Sequence, residues 1–359
     1  MNICLITDLY PVKFDEKYTP RTLSNFVEEW KQAGHNVSII KPNFILNSFI
    51  RKKPYYRNGK YGDVLNLNFW LPFLRVPQLN IEKQTLIIAH MPSGILFADK
   101  LKLPFVAGIH QSDIDVLTKP IYKFYFGKRL YKALVNAKAI ACRSYTLKKD
   151  LLKLFPEFKE KTFVAPSGID ENLIIKRELH FSKPIKVLTA ANFKKRKNID
   201  KVIRAIGGNC DFELTIIGSG EQEKFLKKLA KNFGNIKFLG YKKHQDVISE
   251  MQKNDIFVLP SINETFGLVY LEAMASGCIT IGTKDTGIDG IIVNGENGFL
   301  IEPDIKNIKD VLNRIKCMDK NSLQTLSERS FHTIKKYTKK GCADKYLQQI
   351  LSFCKDFDK

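Results

Sequence analysis

Short apolar runs alternate with longer stretches of helical period along nearly all of this 359-residue chain, and few folds accept such an order. In the first half the runs fall at residues 2–6, 37–40, 86–90, 105–110, 139–142 and 162–165. A helical pattern over 22–33 is stopped by Gly34. A second series begins after Ser182-Lys183-Pro184, with strands expected at 186–190, 213–217, 236–239, 256–259 and 280–282. Helical patterns at 198–206, 221–232, 245–252 and 267–276 separate them, and residues 321–359 read as helix. Such alternation predicts mostly parallel sheets with helices on both faces. The length exceeds what one core accommodates. The expectation is an α/β chain of two Rossmann-like, doubly wound domains at 1–175 and 180–340, with a linker near 171–184 and a terminal helix over 341–359.

Composition narrows the class. Hydrophobic residues make up 44%, enough for large cores. No apolar run reaches the roughly 18 residues of a membrane-spanning helix. The start, MNICLITDLYP, lacks a basic leader region and reads as a buried strand, not a signal peptide. The seven cysteines are scattered, with no C-x-x-C pair, which predicts reduced thiols in a cytoplasmic protein and neither a disulfide framework nor a zinc site. The six histidines include no H-E-x-x-H. Net charge is +21, which calls for an anionic partner. Between Val116 and Lys149 there is no Asp or Glu. Lys123, Lys128, Arg129 and Lys132 there interleave with Tyr122, Phe124, Tyr125, Phe126 and Tyr131, a pattern that suits an anionic membrane surface. A solvated helix face whose aromatics belong to the core fits the same pattern. No helix-turn-helix, RRM or zinc-finger pattern appears, so nucleic acid is not expected as a partner.

The chemistry concentrates in residues 260–277, PSINETFGLVYLEAMASG. Glu264 sits in a loop after a strand, and Glu272 about one and a half turns into a helix that opens near Gly267. A helix N-terminus offers free N–H groups and the positive end of a dipole, a seat for phosphate or a polar sugar. Glu264 can accept hydrogen bonds from sugar hydroxyls there, and Glu272 can reach a ribose diol. Lys197 ends a basic loop after the strand at 186–190, where an ammonium would face a leaving pyrophosphate. Ile217-Gly218-Ser219-Gly220 follows a strand but is not a full G-x-G-x-x-G, and a tight-turn glycine is an equal reading. A lone strand-end histidine such as His110 is commonly structural.

The string P-S-x-x-E-x-F-G-L-x-x-x-E-A-M-A-x-G resembles the E-x(7)-E signature of retaining glycosyltransferases of family four. That resemblance implies the GT-B fold, two Rossmann-like domains facing across a cleft. It implies a nucleoside diphosphate sugar, UDP- or GDP-linked, as co-substrate, with no other cofactor and no metal. Glu264 would be catalytic, and Glu272, Phe266, Gly267 and Leu268 would bind the donor. The family reads G-R-x-x-x-x-K-G where this chain has Ala191-Asn192-Phe193-Lys194-Lys195-Arg196-Lys197-Asn198. Lys197 matches the phosphate-binding lysine. Asn192 stands where the family has Arg, so either Arg196 or Lys194 supplies the missing charge or the diphosphate is held more weakly. Gly218 matches the G-x-G turn beside the donor. His110-Gln111-Ser112-Asp113 resembles H-G-S-D, whose histidine faces the donor sugar from the first domain. Asp113-Ile114-Asp115 mimics a D-x-D metal motif and reads as incidental in this family. Pro166-Ser167-Gly168-Ile169-Asp170 resembles P-N-G-V-D. The loop at 11–20 lacks the usual Gly-Gly pair, and Gly290 stands where Glu is common.

The reading is a retaining, metal-independent hexosyltransferase. Its acceptor would be a lipid-linked glycan of surface polysaccharide biosynthesis, with Lys123, Lys128, Arg129 and Lys132 on the membrane and acceptor side. Its place would be the inner face of the cytoplasmic membrane, as a peripheral protein. Two rivals are an epimerase or phosphorylase on the same scaffold, and a non-enzymatic binder of anionic surfaces or nucleic acid.

Overall fold

The computed structural model describes residues 1–12, 21–43, 58–68, 76–82, 84–179 and 183–354. The first-loop residues 13–20 and Ser182, singled out above, lie outside the described residues. The chain divides into two units, Met1–Ser167 with Lys339–Lys359, and Gly168–Thr338.

In the first unit the elements run β1 (Asn2–Ile6), α1 (Thr22–Gln32), β2 (Asn36–Asn43), β3 (Gly59–Tyr61), β4 (Val64–Asn68), β5 (Leu86–His90), α2 (Met91–Leu101), β6 (Phe105–Ile109), α3 (Gln111–Thr118), α4 (Lys128–Asn136), β7 (Ala139–Cys142), α5 (Tyr145–Leu154) and β8 (Thr162–Val164). The sheet order is β3-β4-β2-β1-β5-β6-β7-β8, parallel except for the β3–β4 edge pair. Leu23, Phe26, Val27 and Trp30 are buried on α1 at helical spacing.

The second unit holds β9 (Ile185–Ala190), α6 (Ile199–Ile206), β10 (Phe212–Ile217), α7 (Glu223–Ala230), β11 (Ile236–Gly240), α8 (His244–Lys253), β12 (Ile256–Val258), α9 (Leu268–Ala275), β13 (Ile279–Thr283), β14 (Phe299–Ile301), α10 (Ile305–Lys316) and α11 (Lys320–Ile334). Its order, β11-β10-β9-β12-β13-β14, is the doubly wound order 3-2-1-4-5-6, and every pair is parallel. The central strands β12 and β13 are buried along their whole length, because helices cover both faces. The strand order reverses between β9 and β12. In open α/β sheets that switch point, at the carboxyl ends of the strands, is where ligands sit.

The units meet the sequence reading with one shift. The chain enters the second unit at Gly168 instead of 175–180 and leaves it at Lys339 instead of 341. The cause is local pairing. The Ile169 N–H donates to Tyr337 O at 2.9 Å, the Ile175 N–H donates to Ala275 O at 2.8 Å, and Arg177 pairs with Asp255 at 2.9 Å. Residues 168–177 are therefore part of the second unit, not a linker. The strands β3, β4 and β14 were absent from the sequence reading; β3 and β14, three residues each, are too short to carry a period, whereas β4 alternates as Leu-Asn-Leu-Asn and was overlooked.

The terminal helix α12 (Lys339–Phe353) packs within the first unit. Trp30 Nε1 donates to Ala343 O at 3.2 Å, and the Phe26 and Tyr346 rings meet edge-on at 5.4 Å. Tyr346, Leu347 and Ile350 are buried on it. At about 1.5–3 kcal/mol per buried side chain, their loss rivals the stability of a whole domain. A chain ending at Thr338 should therefore lose the near-UV circular dichroism of the first unit and melt at least 10 °C lower. A truncated chain melting like the full one would contradict this packing.

Candidate functional site

The carboxyl ends of β9, β10 and β12 surround a pocket of about 370 Å³, lined by Ala190, Asn192, Lys197, Gly218, Lys242 and Val269 among others. It lies at the switch point. Two turns touch on its wall. A Cβ at Gly218 would stand 1.9 Å from Ala191 O, and the residue has φ of +139°, so no other residue fits. Gly218 thus lines the pocket and is also the tight-turn glycine, both readings at once. Asn192 is exposed on the same rim.

Next to the pocket is a charge cluster. Glu264 Oε2 accepts from Lys197 Nζ at 2.5 Å, Ser261 Oγ at 3.0 Å and Arg196 Nη1 at 3.2 Å. Among the described residues Glu264 Oε1 accepts nothing. Burial by itself would raise the Glu264 carboxyl, but Lys197 and then Arg196 and Ser261 outweigh it and hold it below the usual range. For Lys197, burial lowers the ammonium more than Glu264 raises it. Glu264 is thus favoured in its charged form, while burial works against the charge on Lys197 and the carboxylate beside it works for it. Arg196 reaches this carboxylate, while the Lys194 side chain is exposed. Arg196 is thus, with Lys197, a cation of this loop whose side chain meets Glu264.

The loop carrying Glu264 is clamped. The Gly287 N–H donates to Glu264 O at 2.8 Å, and a Cβ at Gly287 would meet the Phe266 backbone at 2.3 Å. Phe266 is buried. Gly267 takes a left-handed φ of +79° and precedes Leu268, the first residue of α9. Tyr270 Oη donates to Leu259 O at 2.8 Å, tying the helix to the end of β12. Glu272 Oε1 lies 2.8 Å from Nε2 of His244, which opens α8. A carboxylate only accepts, so this nitrogen carries a proton. Sequence reasoning missed His244 and Gly287. Only proximity in the fold identifies the first, and a close backbone approach the second.

His110 lies in the first unit and caps α3. Its backbone N–H donates to Asp113 Oδ2 at 2.7 Å. Its Nε2 is 3.0 Å from His90 Nδ1, and His90 Nε2 is 3.0 Å from Tyr346 Oη. Gly108 makes room for the His90 ring, since a Cβ there would stand 2.1 Å from it. Burial, helped by the Arg143 guanidinium, pushes the His110 imidazole down to about 3, and burial holds His90 well below its ordinary value. Burial also raises Asp113 well above the carboxylate range. Both imidazoles are neutral at physiological pH, so the structural role of a strand-end histidine is filled. The donor-facing role implied by the resemblance is a proposal. Asp115 pairs with Lys119 at 2.7 Å, so Asp113-Ile114-Asp115 points its two acids to different partners. Among the described residues no group of three His, Cys, Asp or Glu is placed to hold a metal. Lys123, Lys128, Arg129 and Lys132 are exposed on the first unit.

Two family models match successive parts of the chain: Glycosyltransferase Family 4 over residues 20–173, and Glycosyl transferases group 1 over 170–333. An uncharacterised glycosyltransferase of Methanocaldococcus jannaschii is 30% identical over 254 residues, which span 69% of this chain and 68% of that one. A GDP-mannose-dependent monoacylated phosphatidylinositol monomannoside mannosyltransferase of Corynebacterium glutamicum is 31% identical over 185 residues, 43% of this chain and 48% of that one. Among solved structures, the Anabaena protein HepE in complex with UDP superimposes with a TM-score of 0.67 at 15% identity, covering 98% of this chain and 100% of that one. At that identity the likeness concerns the fold.

The Lys197–Glu264 pair should behave as one unit. Lys197→Met leaves the carboxylate with only Arg196 and Ser261, and Glu264→Gln leaves the buried ammonium without its counter-charge. The double variant should therefore cost about 1–3 kcal/mol less than the sum of the two single changes. Because the folded carboxyl is depressed, this contribution is present above the unfolded value of about 4.3 and is lost as pH falls through the folded one. Urea titrations at pH 7 and pH 4 measure it. Strictly additive costs at pH 7 would contradict the pairing.

Proposed function

Because the chain belongs to the group 1, family-four glycosyltransferases, we propose that it moves a hexose from a nucleoside diphosphate sugar to an acceptor hydroxyl with retention of anomeric configuration. The observation that carries this is the Lys197–Arg196–Glu264 cluster beside a pocket at the sheet's switch point. A diphosphate there meets two cations and the first-turn amides of α9. The uncommitted Glu264 Oε1 is available to a donor sugar hydroxyl. Glu272, oriented by His244, is available to the ribose diol.

The anomeric carbon–oxygen bond to the β-phosphate breaks as negative charge grows on the leaving oxygen. Lys197 and Arg196 stabilise that charge more in the oxocarbenium-like transition state than in the ground state. The acceptor oxygen bonds to the same face of the sugar, and its proton passes to the departing phosphate. These residues carry the phosphate charge without a metal.

UDP or GDP is the nucleotide. HepE is described with UDP and the mannosyltransferase relative as GDP-mannose-dependent, so both bases occur among similar proteins. The acceptor is a lipid-linked glycan reached at the cytoplasmic membrane face. A relative named for a phosphatidylinositol acceptor supports this, as does the acid-free basic stretch between Val116 and Lys149. Epimerase or phosphorylase chemistry has no observation in its favour, nor has a purely binding role.

A panel of UDP- and GDP-sugars, scored for released nucleoside diphosphate, tests the reading. One donor should be hydrolysed slowly by the wild type. Glu264→Gln should lower that rate at least 100-fold, about 2.7 kcal/mol, measured at a temperature where the variant is still folded by circular dichroism. His244→Ala should raise donor KM several-fold with kcat nearly unchanged, since it acts through Glu272. Chelator should leave the rate intact. Near-normal turnover of Glu264→Gln would overturn the site.

A further inference from the structure

The segment joining α3 to α4 in the first unit behaves unlike any other helical stretch described in the chain. Pro120–Tyr122 is one helical turn, and Lys123–Gly127 continues it with π-type hydrogen bonding. Residues 118–125 are all exposed. Phe124 is 83% exposed, Ile121 72%, Tyr125 60% and Tyr122 51%. A helix of a soluble domain ordinarily buries its apolar stripe. Here burial stops after Val116 and Leu117 and resumes at Gly127, then at Leu130, Ala133 and Leu134. Four large apolar side chains between those points project from the unit, and contiguous exposure of that kind marks a contact surface.

The charges around it select the occupant. Lys123, Lys128, Arg129 and Lys132 are exposed on the same segment and the helix that follows. Lys119 is engaged by Asp115, but Arg129 is oriented by donating to Tyr125 O at 3.0 Å. No carboxylate lies in the sequence between Val116 and Lys149. Phe124 and Tyr125 meet edge-on at 5.2 Å, forming one apolar tip. An apolar tip with amphipathic tyrosines, interleaved with cations in a stretch of sequence without acids, matches the boundary of an anionic bilayer. There rings enter the acyl edge and cations stay at the headgroups. Among the described residues no helix is long and apolar enough to cross a membrane, so the contact is peripheral.

We infer that this π-helical tip inserts Ile121, Tyr122, Phe124 and Tyr125 into the interface of an anionic phospholipid bilayer, with the basic side chains as its electrostatic collar. This deepens the proposed lipid-linked acceptor by naming the surface that reaches it, and rests on that reading only for its purpose. It also changes the weight given to residues. The lysines named from sequence steer, and the aromatics hold.

Flotation of the full chain with phosphatidylcholine vesicles, with and without phosphatidylglycerol, tests it. The wild type should float with the anionic vesicles. Phe124→Ser with Tyr125→Ser should cut the bound fraction at least tenfold at both low and high salt. Lys123→Gln with Lys128→Gln should cut it severalfold at low salt only, because salt already screens those charges. Emission of Phe124→Trp should shift to the blue on vesicles and be quenched by brominated acyl chains. Release of nucleoside diphosphate from free donor should be unchanged in Phe124→Ser. Vesicle binding without any such release would count for insertion and against the transferase reading alone. Flotation of the double serine variant equal to wild type would overturn the inference. So would an absence of vesicle binding, including self-association in sedimentation velocity that Phe124→Ser abolishes.

Discussion

A buried lysine after β9 and a nearly buried carboxylate after β12 meet at the carboxyl end of the second sheet, and the candidate site depends on their pairing. Lys197 is 9% exposed, and Glu264 is depressed by it despite burial that acts the other way. Neither charge would be tolerated there alone. The pair holds the end of β9 against the loop after β12, the two strands between which the sheet order reverses. Gly218, Gly267 and Gly287 then fit as consequences. Each lets backbone or ring come within a distance that a side chain would forbid. The pocket, the charge and the helix end are one construction.

The first unit is held by a different interaction. Tyr346 on the terminal helix reaches His90, His90 reaches His110, and Trp30 donates to the same helix. Arg143, fully buried, donates to Ala165 O and to Ser167 Oγ and lies over the Phe26 ring at 4.8 Å. His90, which ends β5, is thereby locked to a helix that arrives from the far end of the sequence, and His110, after β6, is joined to it through His90.

Much of this was legible beforehand for a physical reason. Parallel strands buried on both faces must be continuous apolar runs, so β1, β5, β6, β9, β10 and β12 could be read directly. Glu264 and Glu272 stood out as candidates because a strand-to-helix junction with acids at that spacing is a long pattern, and Lys197 because it ends a basic loop after a strand; the structure brings Lys197 and Glu264 together. What could not be read is what only folding brings together. His244 is 28 residues from Glu272, and Tyr346 is 256 from His90. The choice between Arg196 and Lys194 was open because three neighbouring cations look alike in one dimension; a 3-10 turn at Lys195–Lys197 carries Arg196 towards Glu264. The domain boundary was missed by a few residues because Ile169 pairs with Thr338 across the whole unit. The basic stretch gave the charges correctly but not which aromatics stand in solvent.

The central claim is that the second unit binds a nucleoside diphosphate through Lys197. Isothermal titration of UDP and of GDP into the wild type and into Lys197→Met addresses it most directly. The account predicts saturable binding of one of the two at one site per chain, weakened at least tenfold, about 1.4 kcal/mol, by the substitution. Absence of heat for both nucleotides, or affinity untouched by Lys197→Met, would contradict it.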